Sequence, residues 1–142
     1  MDIQCSKKIQ SDEIMKITVG IPAYNEEKNI AKIISQIKEI TSSIIVCDDH
    51  STDDTNKIVK SLGVDVVTHQ KNLGYGSAIK SIFAKANEID SEVLVTMDAD
   101  GQHRIEDLQK ILKPILSDVV DVSIGSRFLN KDVENVPSYR QI

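Results

Sequence analysis

Two aspartates one residue apart, Asp98 and Asp100, are the groups in this sequence best suited to chemistry. Carboxylates this close repel each other, and a divalent cation relieves the repulsion. Oxygen ligands on a loop suit Mg2+ or Mn2+, which bind through one or two carboxylates and complete their shell with substrate phosphates. Gln102 can add a neutral oxygen, whereas His103 better suits a capping or supporting place in a site of hard oxygens. The same Asp-x-Asp spacing also occurs in a solvated Asx turn at a strand end, so the pattern by itself leaves both readings open. A second acidic pair, Asp48 and Asp49, precedes Ser51, Thr52, Asp53 and Asp54. Those last four read as the capped start of a helix. Asp49 instead suits a nucleobase N–H or ribose hydroxyls, as acidic residues do in dinucleotide sites.

These groups need a frame, and apolar periodicity predicts one. Ile17 to Ile21 reads as a strand ended by Pro22, and Glu26 to Ile40 as a helix with Ile30, Ile33, Ile34 and Ile37 on one face. Ser43 to Cys47 is a second strand, followed by a helix capped at Ser51 or Thr52 and running to Ser61. Val64 to Thr68 is a third strand, and Tyr75 to Asn87 a helix with Ala78, Ile79, Ile82, Phe83 and Ala86 facing inward. Glu92 to Met97 is a fourth strand, Ile105 to Leu116 a helix, and Asp121 to Gly125 a fifth strand. Strands alternating with helices imply βαβ units and a parallel sheet covered on both faces. Right-handed crossovers then bring every strand's carboxyl end to one edge, where open α/β sheets bind ligands. The polar and Gly-rich segments Pro22 to Glu27, Asp48 to Ser51, Asn72 to Gly76, Asp98 to His103 and Ser126-Arg127 all follow strands. The opposite connections hold nothing comparable.

Composition excludes several functions. Aromatic residues are 4%, Trp is absent and the net charge is −5 without a basic stripe, which argues against a nucleic-acid partner. No P-loop, no G-x-G-x-x-G after the first strand, no zinc-spaced Cys/His cluster and no G-x-S-x-G elbow is present. The two cysteines, Cys5 and Cys47, are too few for a disulfide scaffold, and Cys47 in an apolar run reads as a small buried hydrophobe. Neither a signal peptide nor a membrane-spanning apolar run is visible, so a cytoplasmic location is expected, with the cytoplasmic face of a membrane as a variant.

Five ordered segments resemble the family 2 inverting glycosyltransferases, nearest the dolichol-phosphate mannose synthase and polyprenyl-phosphate glycosyltransferase type. They are Ile21 to Glu27, Cys47 to Asp53, Asn72 to Gly76, Asp98 to His103 and Gly125 to Phe128, and the match runs from about Ile17 to Gln141. The resemblance implies a Rossmann-like GT-A fold and a nucleoside-diphosphate-sugar donor, GDP-mannose or a UDP-sugar. It implies that Pro22, Tyr24, Glu26, Cys47 and Asp49 cradle the nucleotide. Asp98, Ala99 and Asp100 would lie at the ribose and diphosphate, Asp100 and Gln102 would ligate Mg2+ or Mn2+, and Arg127 would contact the donor. The implied acceptor is a polyprenyl or dolichyl phosphate, or a glycan, glycosylated with inversion. His50 departs from the family pattern, standing where Gly or Asn is usual.

The expected organisation is a polar leader over residues 1–15 and a GT-A domain over residues 16–142. That domain is expected to hold the donor side and to be C-terminally incomplete, with little turnover by itself and any membrane association arising beyond residue 142. Two other functions share parts of this pattern. A nucleotide-sugar-binding fragment without turnover shares every motif. A sugar-nucleotidyltransferase would want a Gly-rich, Lys- or Arg-bearing loop after the first strand, where this chain has Pro-Ala-Tyr-Asn-Glu-Glu.

Overall fold

The computed structural model describes residues 15–101 and 104–126. The chain divides into two compact units after residue 102. The first holds β1 (Ile17–Ala23), α1 (Ile30–Ile37), β2 (Ile44–Asp48), α2 (Thr55–Ser61), β3 (Asp65–Thr68), α3 (Tyr75–Glu88) and β4 (Val93–Thr96). The second holds α4 (Ile105–Leu116), which buries Leu108 and Leu112.

Among the described residues the four strands form one parallel sheet in the order β3-β2-β1-β4. Val19 lies opposite Ile44, Ile17 opposite Val93, and Ile45 opposite Asp65. The chain steps from β1 to β2 to β3 in one direction, then returns across the sheet to β4. Right-handed crossovers therefore put α1 and α2 on one face and α3 on the other. Alternation along β2 divides its side chains accordingly: Ile45 and Cys47 pack with Ala78, Ile82 and Ala86 of α3. α3 lies so close to β1 that a Cβ on Gly20 would sit 2.3 Å from Ile82 Cγ2. On α1, Ile30, Ile33, Ile34 and Ile37 are all buried, as their spacing predicts.

The structure corrects four boundaries or faces. β1 runs through Pro22 to Ala23. Gly20 C=O accepts from Met97 N–H, so residues of that parity face β4, and β4 ends at Thr96. The N–H that proline lacks thus falls where no strand remains to receive it. α1 begins at Ile30 rather than Glu26, because Asn29 and Ile30 N–H both close onto Glu26 C=O in a preceding turn. Phe83, expected inside, is 58% exposed: α3 buries a stripe stepping by four through Ala78, Ile82 and Ala86, and Phe83 lies about 100° round the helix from Ile82. Residues 121–126 form no strand, although a fifth strand is expected over Asp121 to Gly125; Val122 and Ile124 are exposed. Extended propensity needs a partner ladder, and among the described residues this segment has none.

Candidate functional site

Because β2 and β4 flank β1 and are reached in opposite directions, the carboxyl end of β1 is a topological switch point. An open cleft of about 370 Å3 lies there, at the small end of ligand sites. The loop after β1 contributes Pro22, Ala23, Tyr24 and Glu26, and the loop after β2 contributes Asp49. Asn72, Gly74, Tyr75 and Ala78 come from the turn into α3, and Asp98, Ala99 and Asp100 follow β4. Seven residues singled out from the sequence therefore share one cleft: Pro22, Tyr24, Glu26, Asp49, Asp98, Ala99 and Asp100.

The first two loops are sewn together. Asn25 N–H donates to Ser51 Oγ (2.9 Å), Glu26 N–H to Thr55 Oγ1 (2.8 Å) and Glu27 N–H to Asp53 Oδ2 (3.2 Å). In return Thr52 N–H donates to Asn25 Oδ1 (2.8 Å) and Asp54 N–H to Glu27 Oε2 (3.1 Å). Ser51 to Asp54 thus do not cap a helix begun at Ser51 or Thr52, as their types suggest. α2 starts at Thr55, and these residues hold the loop that carries Tyr24 and Glu26. Asn25 and His50 both take left-handed backbone, with φ of 56° and 63°. Gly and Asn adopt that conformation most readily, which is the physical ground for expecting one of them at position 50.

Asp49 is buried and fully engaged on its inner side. His69 Nδ1 lies 2.6 Å and Leu73 N 2.8 Å from Oδ1, and Gly74 N lies 2.7 Å from Oδ2. Burial by itself would raise the Asp49 pKa; the Leu73 N–H, His69 and the Gly74 N–H outweigh it and hold the carboxyl below its ordinary range. Asp48, in contrast, turns to the other face, accepting from Ser51 N–H and Asn56 Nδ2. Across the cleft Tyr75 donates its hydroxyl to Asp98 Oδ1 at 3.1 Å. Burial, then the Asp98 charge and this hydrogen bond, raise the tyrosine pKa.

Cys47 does not reach the cleft. It is fully buried in the α3-side core, 3.6 Å from His69 Nε2, and burial followed by the Asp49 charge lifts its thiol pKa to about 11. The apolar reading of Cys47 therefore describes its side chain, and the nucleotide-cradling one does not. Tyr75 belongs to the segment Asn72 to Gly76 but carries no role in the sequence reading, and His69 is not part of it at all. Their signal was weak, since His69 is an isolated histidine at a strand end whose partner lies 20 residues away.

Gln102, His103 and Arg127 lie outside the described residues. Among the described residues no group of three or more His, Cys, Asp or Glu is placed to hold a metal ion by itself. Asp98 and Asp100 both line the cleft; Mg2+ and Mn2+ in general bind through one or two carboxylates and complete their shell with phosphate oxygens. Among the described residues no helix is long and apolar enough to cross a membrane.

Glycosyl transferase family 2 matches residues 18–142. The UDP-N-acetylglucosamine–dolichyl-phosphate N-acetylglucosaminyltransferase of Methanococcus voltae is 35% identical over 86% of this chain and 56% of its own length. The dolichol-phosphate mannosyltransferase of Pyrococcus furiosus is 36% identical over 90% of this chain and 38% of its own length. Among solved structures, Mycobacterium tuberculosis glucosyl-3-phosphoglycerate synthase with Mn2+, UDP-glucose and phosphoglyceric acid superposes with a TM-score of 0.60. It is 26% identical, and the alignment covers 72% of this chain and 40% of that one. The chain thus spans between about two-fifths and three-fifths of the length of these relatives.

Proposed function

This chain belongs to glycosyl transferase family 2, and on that premise we propose that it supplies the donor site of a GT-A enzyme that transfers a sugar from a nucleoside-diphosphate-sugar, with inversion. The observation that carries the reading is the convergence of Tyr24, Asp49, Asp98 and Asp100 on one cleft at the switch point. Tyr24, 47% exposed at the cleft, offers an aromatic face to the base, and Asp49 an acceptor for a base N–H. Asp98 and Ala99, which line the same cleft, would lie at the ribose and diphosphate, and Asp100 with Gln102 would hold Mg2+ or Mn2+. When bound, that ion would neutralise the leaving nucleoside diphosphate. Arg127 would add a fixed positive charge to the same end. The solved relative's Mn2+ and UDP-glucose support the donor class and the metal.

Kinship with enzymes named for dolichyl phosphate supports a polyprenyl or dolichyl phosphate acceptor. Its phosphate oxygen is already anionic, so attack on the anomeric carbon needs no strong general base. Such an acceptor would bring the protein to the cytoplasmic face of a membrane. The test is a sugar-transfer assay with UDP- and GDP-sugars against polyprenyl phosphate, alongside Asp100→Ala. Transfer that Asp100→Ala abolishes supports the reading. Donor binding without transfer to any lipid phosphate would favour a binding role, and no nucleotide binding would remove the reading.

A further inference from the structure

We infer that Asp49 can read a single nucleobase N–H, so that the cleft takes a uridine rather than a guanosine diphosphate sugar, and that His69 enforces the choice. The inference rests on the nucleotide-sugar reading above. An ionised carboxylate has about four acceptor positions, two on each oxygen. On Asp49 Oδ1 both are taken, by His69 Nδ1–H and Leu73 N–H, and on Oδ2 one is taken, by Gly74 N–H. Among the described residues no fourth donor reaches the group, so one position on Oδ2 remains for a ligand in the cleft that Asp49 lines.

That count separates the bases. Guanine presents a ring N–H and an amino N–H side by side, and a carboxylate matches the pair only by giving one oxygen to each. Oδ1 has no position left to give. Uracil presents one ring N–H between two carbonyls, which the remaining Oδ2 position satisfies. Cytosine has a lone pair at that ring nitrogen and would set acceptor against acceptor.

Two of the three inner donors are backbone N–H groups; His69 is the side-chain donor. Its Nδ1 faces the carboxylate and its Nε2 lies 2.8 Å from the Ser81 hydroxyl, a pair of hydrogen bonds that fixes the orientation of the ring. Neither His69 nor Ser81 lines the cleft, so both are positioning residues acting through Asp49. A Ser-His-Asp set of this kind would serve a hydrolase only with its serine in the cleft.

The experiment is calorimetry of the full chain with UDP, GDP and CDP in Mg2+. The three share ribose and diphosphate, so their differences isolate the base. UDP should bind at least about tenfold more tightly than either, the effect of one well-made hydrogen bond to a charged group. His69→Ala, which opens a position on Oδ1, should narrow the UDP-to-GDP ratio several-fold. His69→Asn, whose amide N–H replaces Nδ1–H, should retain it. A general loss of stability would weaken all three nucleotides alike and leave the ratio unchanged. GDP binding as tightly as UDP overturns the inference and leaves the nucleotide-sugar reading standing. Binding of none overturns both, and an unchanged ratio in a folded His69→Ala protein overturns the role of His69.

Discussion

Gly20→Ala should destabilise the fold by about 1–2 kcal/mol, and the clash responsible can be named. The new Cβ would lie 2.3 Å from Ile82 Cγ2, against roughly 3.5–4.0 Å for a carbon pair at ease. Ile82 is fully buried, and its χ1 is held near one rotamer by the helix, so it cannot swing aside. The remaining response is to lift α3 from β1, and overpacking of this kind costs roughly 1–3 kcal/mol. Replacing a strand glycine returns roughly 0.5–1 kcal/mol of that. The melting temperature should fall by roughly 4–10 °C. Ile82→Ala alone should cost roughly 2–5 kcal/mol by leaving a cavity. In the double variant the clash is gone and the added methyl fills part of the space, so the pair should be at least about 1 kcal/mol less damaging than the sum of the singles. Urea melts of the four proteins measure this. Additivity within about 0.5 kcal/mol would show that α3 does not rest on Gly20 and refute the packing argument.

Three further outcomes concern the cleft and the core beneath it. Mn2+ should bind weakly to the protein by itself and more tightly with a nucleoside diphosphate, an enhancement that Asp100→Ala removes; calorimetry showing equal Mn2+ affinity in both conditions would contradict a shell completed by phosphate. Because the folded state holds Asp49 below its ordinary carboxylate range, its stabilisation is complete above the unfolded pKa of about 4 and is lost as pH falls towards the folded value. The stability gap between wild type and Asp49→Asn, read from urea midpoints at neutral and acid pH, should therefore shrink on acidification; a constant gap would assign Asp49 no charge-dependent role. Cys47, with its thiol pKa raised to about 11 and no exposure, should resist alkylation at neutral pH until the protein unfolds, and fast labelling of the native state would place it wrongly.

Periodicity carries only what is local. Ile30, Ile33, Ile34 and Ile37 announce their face because a helix brings residues three and four apart together, and the alternation of strands and helices brings the loops after β1, β2, β3 and β4 to one edge. Cross-loop chemistry leaves no such trace. Ser51 to Asp54 have the types of a capped helix start, and the types that cap a helix are those that accept N–H groups from a neighbouring loop 26 residues away. His69 was invisible for the same reason, since its meaning lies in Asp49 and Ser81, on two other elements. Cys47 and Asp49 sit two residues apart at the end of β2, yet one side chain lies in the core and the other lines the cleft, a distinction that a motif read as a unit does not draw. The strand expected at residues 121–125 failed because alternation specifies a conformation, whereas a strand also requires a neighbour.

The sheet does not stop where its strands end. Asp49 N–H reaches Ala23 C=O at 2.9 Å, His69 N–H reaches Asp48 C=O at 3.0 Å, and Met97 N–H reaches Gly20 C=O at 3.0 Å. Each bond carries the ladder one step into a loop, so the floor of the cleft inherits the stiffness of the core. A ligand arriving there meets groups that have already surrendered their conformational freedom during folding, and little further ordering is charged against the binding free energy. Amide exchange around residues 47–50 should accordingly be slow before any nucleotide is added and change little afterwards. Selectivity built on so fixed a floor is a matter of which hydrogen-bond pattern matches it, because the protein has little room to rearrange around a poor match.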